Sequence, residues 1–107
     1  MNKELQRCVN DWCMTALWNA QDEFMSGDYI YRGRLRSCQA KVYESESFFI
    51  LESYDTNFVA IIDKETKQCY DLLRYVYGYT STSAQHVSKF WHDYGDNKIY
   101  RYTYREV

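Results

Sequence analysis

Phe48-Phe49-Ile50-Leu51-Glu52-Ser53-Tyr54 and Phe58-Val59-Ala60-Ile61-Ile62-Asp63, separated by Asp55-Thr56-Asn57, decide the fold. Both runs are rich in β-branched and aromatic residues, and the residues between them have turn chemistry. They read as a hairpin. Lys64-Glu65-Thr66-Lys67 supplies the next turn, and a third strand is expected over roughly Gln68 to Tyr77, ended by Gly78. Connections this short make consecutive strands antiparallel.

Upstream, Leu5, Cys8, Val9, Trp12, Cys13, Ala16, Leu17, Ala20 and Phe24 recur at three- and four-residue spacing. That periodicity predicts an amphipathic helix from about residue 2 to 26, stopped by Gly27, with Trp18 off the main stripe. Tyr29 to Arg36 is either a strand or an irregular connection. If it is extended, Arg32, Arg34 and Arg36 share one face and can grip phosphates or carboxylates. A solvated edge strand, its charges preventing stray pairing, is the favoured reading, because no other basic cluster lies nearby in sequence.

Downstream, Thr80-Ser81-Thr82-Ser83 offers several N-caps, and Ala84, Val87, Trp91 and Tyr94 follow at helical spacing, with Phe90 flanking and Gly95 as the stop. Ile99 to Arg105 alternates strictly, which places Tyr100, Tyr102 and Tyr104 on one strand face. The order predicts an α+β fold: an antiparallel sheet of about four strands, covered by a long N-terminal helix and a shorter C-terminal helix. One domain is expected over residues 1–107, with the sheet and second helix at about 29–105.

Composition narrows the function. Hydrophobic residues make up 46% and charged residues 26%, a globular balance. No apolar run approaches the roughly 18 residues of a membrane span, and the first residues lack a signal-peptide pattern, so a cytoplasmic address is expected. The four cysteines form no C-x-x-C pair and are expected to be buried thiols. A net charge of -2 fits neither a sequence-independent DNA binder nor an extreme acidic mimic of DNA.

Little catalytic chemistry is legible. His86 and His92 lie six apart, so on a helix they diverge by about 120° and cannot share a metal. His86 is expected to face solvent or a neighbouring loop. The four glycines are scattered, which excludes a phosphate loop. Glu44, Glu46, Glu52, Asp55 and Asp63 include candidates for an acid/base pair, but they occupy expected turns and strand ends. A non-enzymatic protein without cofactor or metal is the expectation.

Binding has more support, because 12 residues are tyrosine. Tyrosine pairs a large apolar body with a polar tip at low entropy cost, and with arginine it dominates interfaces. The candidate partner-binding residues are Tyr29, Tyr31, Arg32, Arg34, Arg36, Tyr77, Tyr79, Tyr100, Tyr102 and Tyr104, with Arg74, Arg101 and Arg105 interleaved. The same makeup can stack single-stranded bases, which keeps nucleic acid as the alternative partner. The first helix also carries more apolar positions than a small sheet covers, which leaves homodimerisation open.

Two segments resemble a small domain of phage-encoded proteins from Gram-positive hosts. Ser53 to Asp63 is similar to its S-Y-x-T-x-V-A-x-I-D hairpin, and Tyr79 to Trp91 to its Y-S-x-T-T-x-x-H-[IL]-x-x-F helix start. Asn57-Phe58 lengthens the first motif, and Thr80 replaces the serine of the second. The resemblance covers about 40 residues and implies a viral or mobile-element origin. It implies in turn an inhibitor of a host protein, an anti-CRISPR acting on a Cas nuclease being the leading case. It also implies turn and cap hydroxyls at Thr56 and Thr82 and a hydrogen bond from His86 towards the hairpin.

Overall fold

The N-terminal periodicity becomes α1 (Lys3–Met25) in a computed structural model that describes residues 2–35, 40–53, 57–76, 80–96 and 98–107. Asn2 caps the helix: its Oδ1 accepts the Leu5 N–H at 2.8 Å and satisfies a first-turn donor. At the far end Gly27 takes φ +87°, the left-handed conformation that releases the chain.

Four strands follow: β1 (Tyr29–Arg34), β2 (Ala40–Ser45), β3 (Phe48–Ser53) and β4 (Asn57–Asp63). After them come β5 (Cys69–Asp71), α2 (Leu73–Val76), α3 (Ser81–Tyr94) and β6 (Tyr102–Thr103). All six strands form one sheet in chain order, antiparallel except for the parallel β5–β6 pair. The fold is α+β, with six strands where about four were expected.

Both additions have a physical cause. β1 is the sheet edge, so its side chains stay exposed and give no burial pattern. β2 is interior, but Lys41, Tyr43 and Glu44, which are half-buried, break its apolar alternation with polar groups.

The third strand is corrected from ten residues to three. Asp71 Oδ1 accepts the Leu73 N–H at 3.1 Å, a side-chain turn that ends the strand and starts α2. The C-terminal strand is likewise reduced, from Ile99–Arg105 to Tyr102–Thr103. Its parallel direction follows from the crossover, since α2 and α3 intervene between β5 and β6.

The sheet is covered on both faces. Val9, Cys13, Leu17 and Ala20 of α1 pack on Phe48, Ile50, Ile61 and Leu72. Val87 and Phe90 of α3 pack on the opposite face, against Val42, Leu51, Ala60 and Ile62. Leu51 pairs with Ala60 and Glu52 with Phe58, so Val59 is the extra residue of a bulge and turns towards α3 instead of α1.

α3 is rotated from the expected stripe. Its buried residues are Ser83, His86, Val87 and Phe90, while Ala84, Trp91 and Tyr94 are only partly buried. His86 is therefore inside the fold at 3% exposure, not facing solvent. Thr80, and not Thr82, caps the helix, with its hydroxyl accepting the Ser83 N–H at 3.1 Å. Thr56 and the turn at 54–56 lie outside the described residues, as do Cys38 and Gly78.

Cys13 and Cys69 are buried between the layers. Burial first, and then the negative charge of Asp71, pushes the Cys13 thiol from 9.0 up to about 12, and the same causes raise Cys69. Unfolded, these thiols ionise near 9.0; folded, they keep their protons. The stabilisation is thus fully present below pH 9.0 and is lost as pH rises towards 12, by up to about 1.4 kcal/mol per pH unit for each thiol. Cys13→Ala should flatten that decline in urea midpoints, whatever its absolute stability. Ile61→Ala empties a fully buried site at the centre of the α1 layer. We expect it to cost about 3 kcal/mol in denaturant unfolding, against little change for the exposed Glu65→Ala.

Candidate binding groove

Gln6 is buried on α1 and holds the C-terminal segment. Its Nε2 donates to the Thr103 carbonyl at 3.0 Å and to Asn10 Oδ1 at 2.8 Å. Asn10 then grips Arg105 at two points, donating to its carbonyl at 2.7 Å and accepting its N–H at 3.1 Å. A side-chain amide here stands in for a neighbouring strand, since it supplies the donor and acceptor that β6 is too short to receive from the sheet. From the other side, the Tyr104 N–H donates to the Asp71 carbonyl at 2.9 Å, and Gln68 Nε2 donates to the Tyr100 carbonyl.

This strap leaves a cleft of about 630 Å³ between the first half of α1 and residues 100–107. Leu5, Trp12, Tyr100, Tyr102 and Val107 give it an aromatic and apolar floor, with Lys3, Arg105 and Glu106 among its polar residues. Trp12 and Tyr102 lie with ring centroids 5.2 Å apart and tilted by 39°. Trp12 is 44% exposed and Tyr100 80%, so large apolar surface faces water. A second cleft of about 390 Å³ continues past Tyr100 and Arg105 to Trp91 and Lys98.

Arg101 is committed to structure. Its Nε lies 3.9 Å from the buried Asp71 carboxylate, and its guanidinium sits 4.9 Å over the Trp91 ring. Arg105 has its backbone fixed by Asn10 and its side chain exposed, so it is the arginine available to a partner.

The ten residues singled out in the sequence do not form one patch. Tyr100 and Tyr102 line the groove, whereas Tyr104 does not: it meets Tyr75 edge-on at 5.1 Å and, like Tyr102, packs on the α1-side core. Tyr102 and Tyr104 share the α1 side, while Tyr100, before the two-residue strand, stays exposed. Tyr29, Tyr31, Arg32 and Arg34 lie on β1, the opposite edge of the sheet. There Tyr29 stacks on Phe24 at 4.0 Å, and Tyr31 tilts against Tyr43 at 5.6 Å. The aligned arginine stripe is interrupted by a bulge at Arg32 and Gly33, where Gly33 takes φ +110°. Arg36, Tyr77 and Tyr79 lie outside the described residues.

Sequence reasoning assigned Leu5, Cys8 and Trp12 to the buried stripe. The structure leaves all three exposed. They occupy one flank of the helix at 5, 8 and 12, about 60–120° from the line through Val9, Cys13 and Ala20. The signal was present in the width of the apolar face, which is broader than a single packed stripe.

Of the candidate carboxylates, Glu44 and Asp63 make structural contacts, and Asp55 lies outside the described residues. Glu44 binds Arg32 at 3.4 Å and Lys64 at 2.6 Å. Asp63 caps the turn after β4 by accepting the N–H groups of Glu65 and Thr66. Partial desolvation pushes Glu23 up, but hydrogen bonds from Ser47 and Ser45 outweigh it and hold the group below its ordinary value. His92 is exposed beside Asp93 at 3.2 Å. Among the described residues no cluster of three metal-binding side chains occurs.

The strap can be tested directly. Asn10→Ala removes both contacts to Arg105, and a local loss of about 1–2 kcal/mol is expected. Amide exchange at Arg105 should accelerate accordingly, while the Tyr104 amide, held by Asp71, keeps its protection. Compared with known protein families, curated proteins and solved structures, the chain matches none.

Proposed function

We propose that this protein acts by binding and not by catalysis, as a phage or mobile-element inhibitor that seats a host protein in the groove between α1 and the C-terminal segment. The observation that carries the reading is the exposed Trp12–Tyr102–Tyr100 surface beside Arg105. Tryptophan, tyrosine and arginine on a pre-ordered backbone are the side chains that dominate binding energy, because their rings bury much area with few torsions to freeze. The strap lowers the entropy cost further by fixing the segment before a partner arrives.

The partner class tested first is a Cas nuclease, which the resemblance of residues 53–63 and 79–91 suggests. Inhibition of such an enzyme places the protein in the host cytoplasm. A protein partner is favoured over single-stranded nucleic acid because Arg101 is occupied by Asp71, and Glu106 adds negative charge to the groove. Few cations therefore remain to displace counterions from phosphate.

A reconstituted cleavage assay decides the target. Excess protein should suppress cleavage, and Trp12→Ala should weaken suppression by about 30-fold, the effect of a hot-spot residue worth about 2 kcal/mol. Full cleavage in excess protein removes Cas nucleases as the target. A gel shift with single-stranded DNA whose affinity falls steeply with salt would move the assignment to nucleic acid.

A further inference from the structure

The smaller cleft, of about 390 Å³, is walled by Trp91 of α3 and by the chain from Lys98 to Arg105. Lys98, Arg101 and Arg105 all line it, together with Tyr100 and Thr103, and no carboxylate does. The acidic groups nearby are engaged elsewhere. Asp71 is buried behind Arg101, and its Oδ1 accepts the Leu73 N–H. Asp96 Oδ1 accepts the Lys98 N–H at 2.9 Å, Asp93 pairs with Lys89 and His92, and Glu106 lines the α1 groove instead. Among the described residues neither Lys98 nor Arg105 forms an ion pair. Arg101 approaches Asp71 only to 3.9 Å, too far for a hydrogen bond, so its guanidinium keeps its donors, and its side chain is 27% exposed.

These cations stand on a fixed backbone. The Ile99 N–H donates to the Asp96 carbonyl at 3.0 Å, and Gln68 holds the Tyr100 carbonyl. Tyr102 and Thr103 pair with β5, and Asn10 binds both backbone groups of Arg105. The Trp91 ring, 4.9 Å from the Arg101 guanidinium, holds that side chain at the cleft wall. An anion entering here meets a backbone already in place, so little ordering remains to oppose binding.

We infer that this cleft binds a phosphate group. A carboxylate presents two oxygens in one plane, which a single guanidinium fork already matches. A phosphate carries nearly two negative charges and three terminal oxygens in divergent directions, which suits cations from three positions of the chain. Trp91 and Ile99 add apolar wall, and a drier surrounding strengthens each charged contact. Three cations hold one phosphate group and fall short of the row of contacts that a nucleic-acid strand needs. The ring of Tyr100, 80% exposed, offers a flat surface to an organic group carried on the phosphate. The inference does not rest on the function of the α1 groove, since binding is read on the chain alone.

Titration of the full chain with inorganic phosphate, at an ionic strength held constant with chloride, tests the inference by chemical-shift mapping. Saturable shifts are expected, confined to residues 98–105 and the Trp91 indole. Lys98→Gln and Arg105→Gln should each weaken phosphate binding about fivefold, the effect of one exposed charge contact, and neither removes a backbone hydrogen bond of the segment. Arg34→Gln, on the opposite edge of the sheet, should leave the affinity unchanged. Phenyl phosphate separates two sources of the same group. Tighter binding than inorganic phosphate, lost in Tyr100→Ala, assigns an organic phosphate, and equal binding assigns the free anion. Shifts that do not saturate, or that chloride alone reproduces, overturn the proposal, as does an equal loss with Arg34→Gln. Acetate binding as tightly as phosphate also overturns it and makes the cleft a carboxylate site.

Discussion

Everything in this fold depends on burying both faces of β4. Ile61 meets α1 and Ala60 and Ile62 meet α3, and all three are fully buried. A strand with no polar face cannot rest on a single layer, because period-two alternation directs half its apolar area to the other side. Two helices are therefore required. α3 reaches its face only inside the crossover between β5 and β6, and a crossover of that length returns the chain parallel to β5. The parallel return lays residues 100–107 beside α1, and that contact creates the groove.

This dependence also explains what was legible in the sequence. The hairpin 48–63, the first helix and the second helix all announce themselves by period, because each buries a continuous stripe or run. β2 and β1 do not. One carries half-buried polar residues in its apolar pattern, and the other has nothing buried to show. The shortening of the third strand turned on a single carboxylate, Asp71, whose local hydrogen bond to Leu73 outcompetes the ladder. Half of the groove was visible as tyrosine alternation at 100 and 102. The other half was hidden, because Leu5 and Trp12 obey helical spacing as well as any core residue and only the width of the helix cover decides their fate.

Asp71 has a second role in that geometry. A carboxylate buried at 4% exposure is costly unless it is paired and hydrogen-bonded. Arg101 supplies the opposite charge from the C-terminal segment, and the Leu73 N–H supplies a hydrogen bond. The Asp71 carbonyl meanwhile receives the Tyr104 N–H. One residue thus ends β5, starts α2 and anchors the strap, so the floor of the groove is tied to the core and not to a free tail. The raised thiols of Cys13 and Cys69 are a by-product of the same charge, after burial itself.

The length of α1 sets the character of the two sheet edges. Its 23 residues extend about 34 Å, whereas six strands at about 4.8 Å spacing span only about 24 Å. The helix crosses the sheet from β6, where Gln6 holds Thr103, to β1, where Phe24 stacks on Tyr29. It must overhang, and apolar side chains stay exposed at both ends: Leu5 at one and Met25 at the other, while Trp12 is exposed on the helix flank. At the β6 end Gln6 and Asn10 consume the backbone groups of the segment, so only side chains remain to engage a partner. At the β1 end, among the described residues, α1 meets the strand through ring stacking of Phe24 on Tyr29 instead. The two ends of α1 thus meet opposite edges of the sheet, which is why Tyr100 and Tyr102 lie apart from Tyr29, Tyr31, Arg32 and Arg34 instead of forming one patch with them.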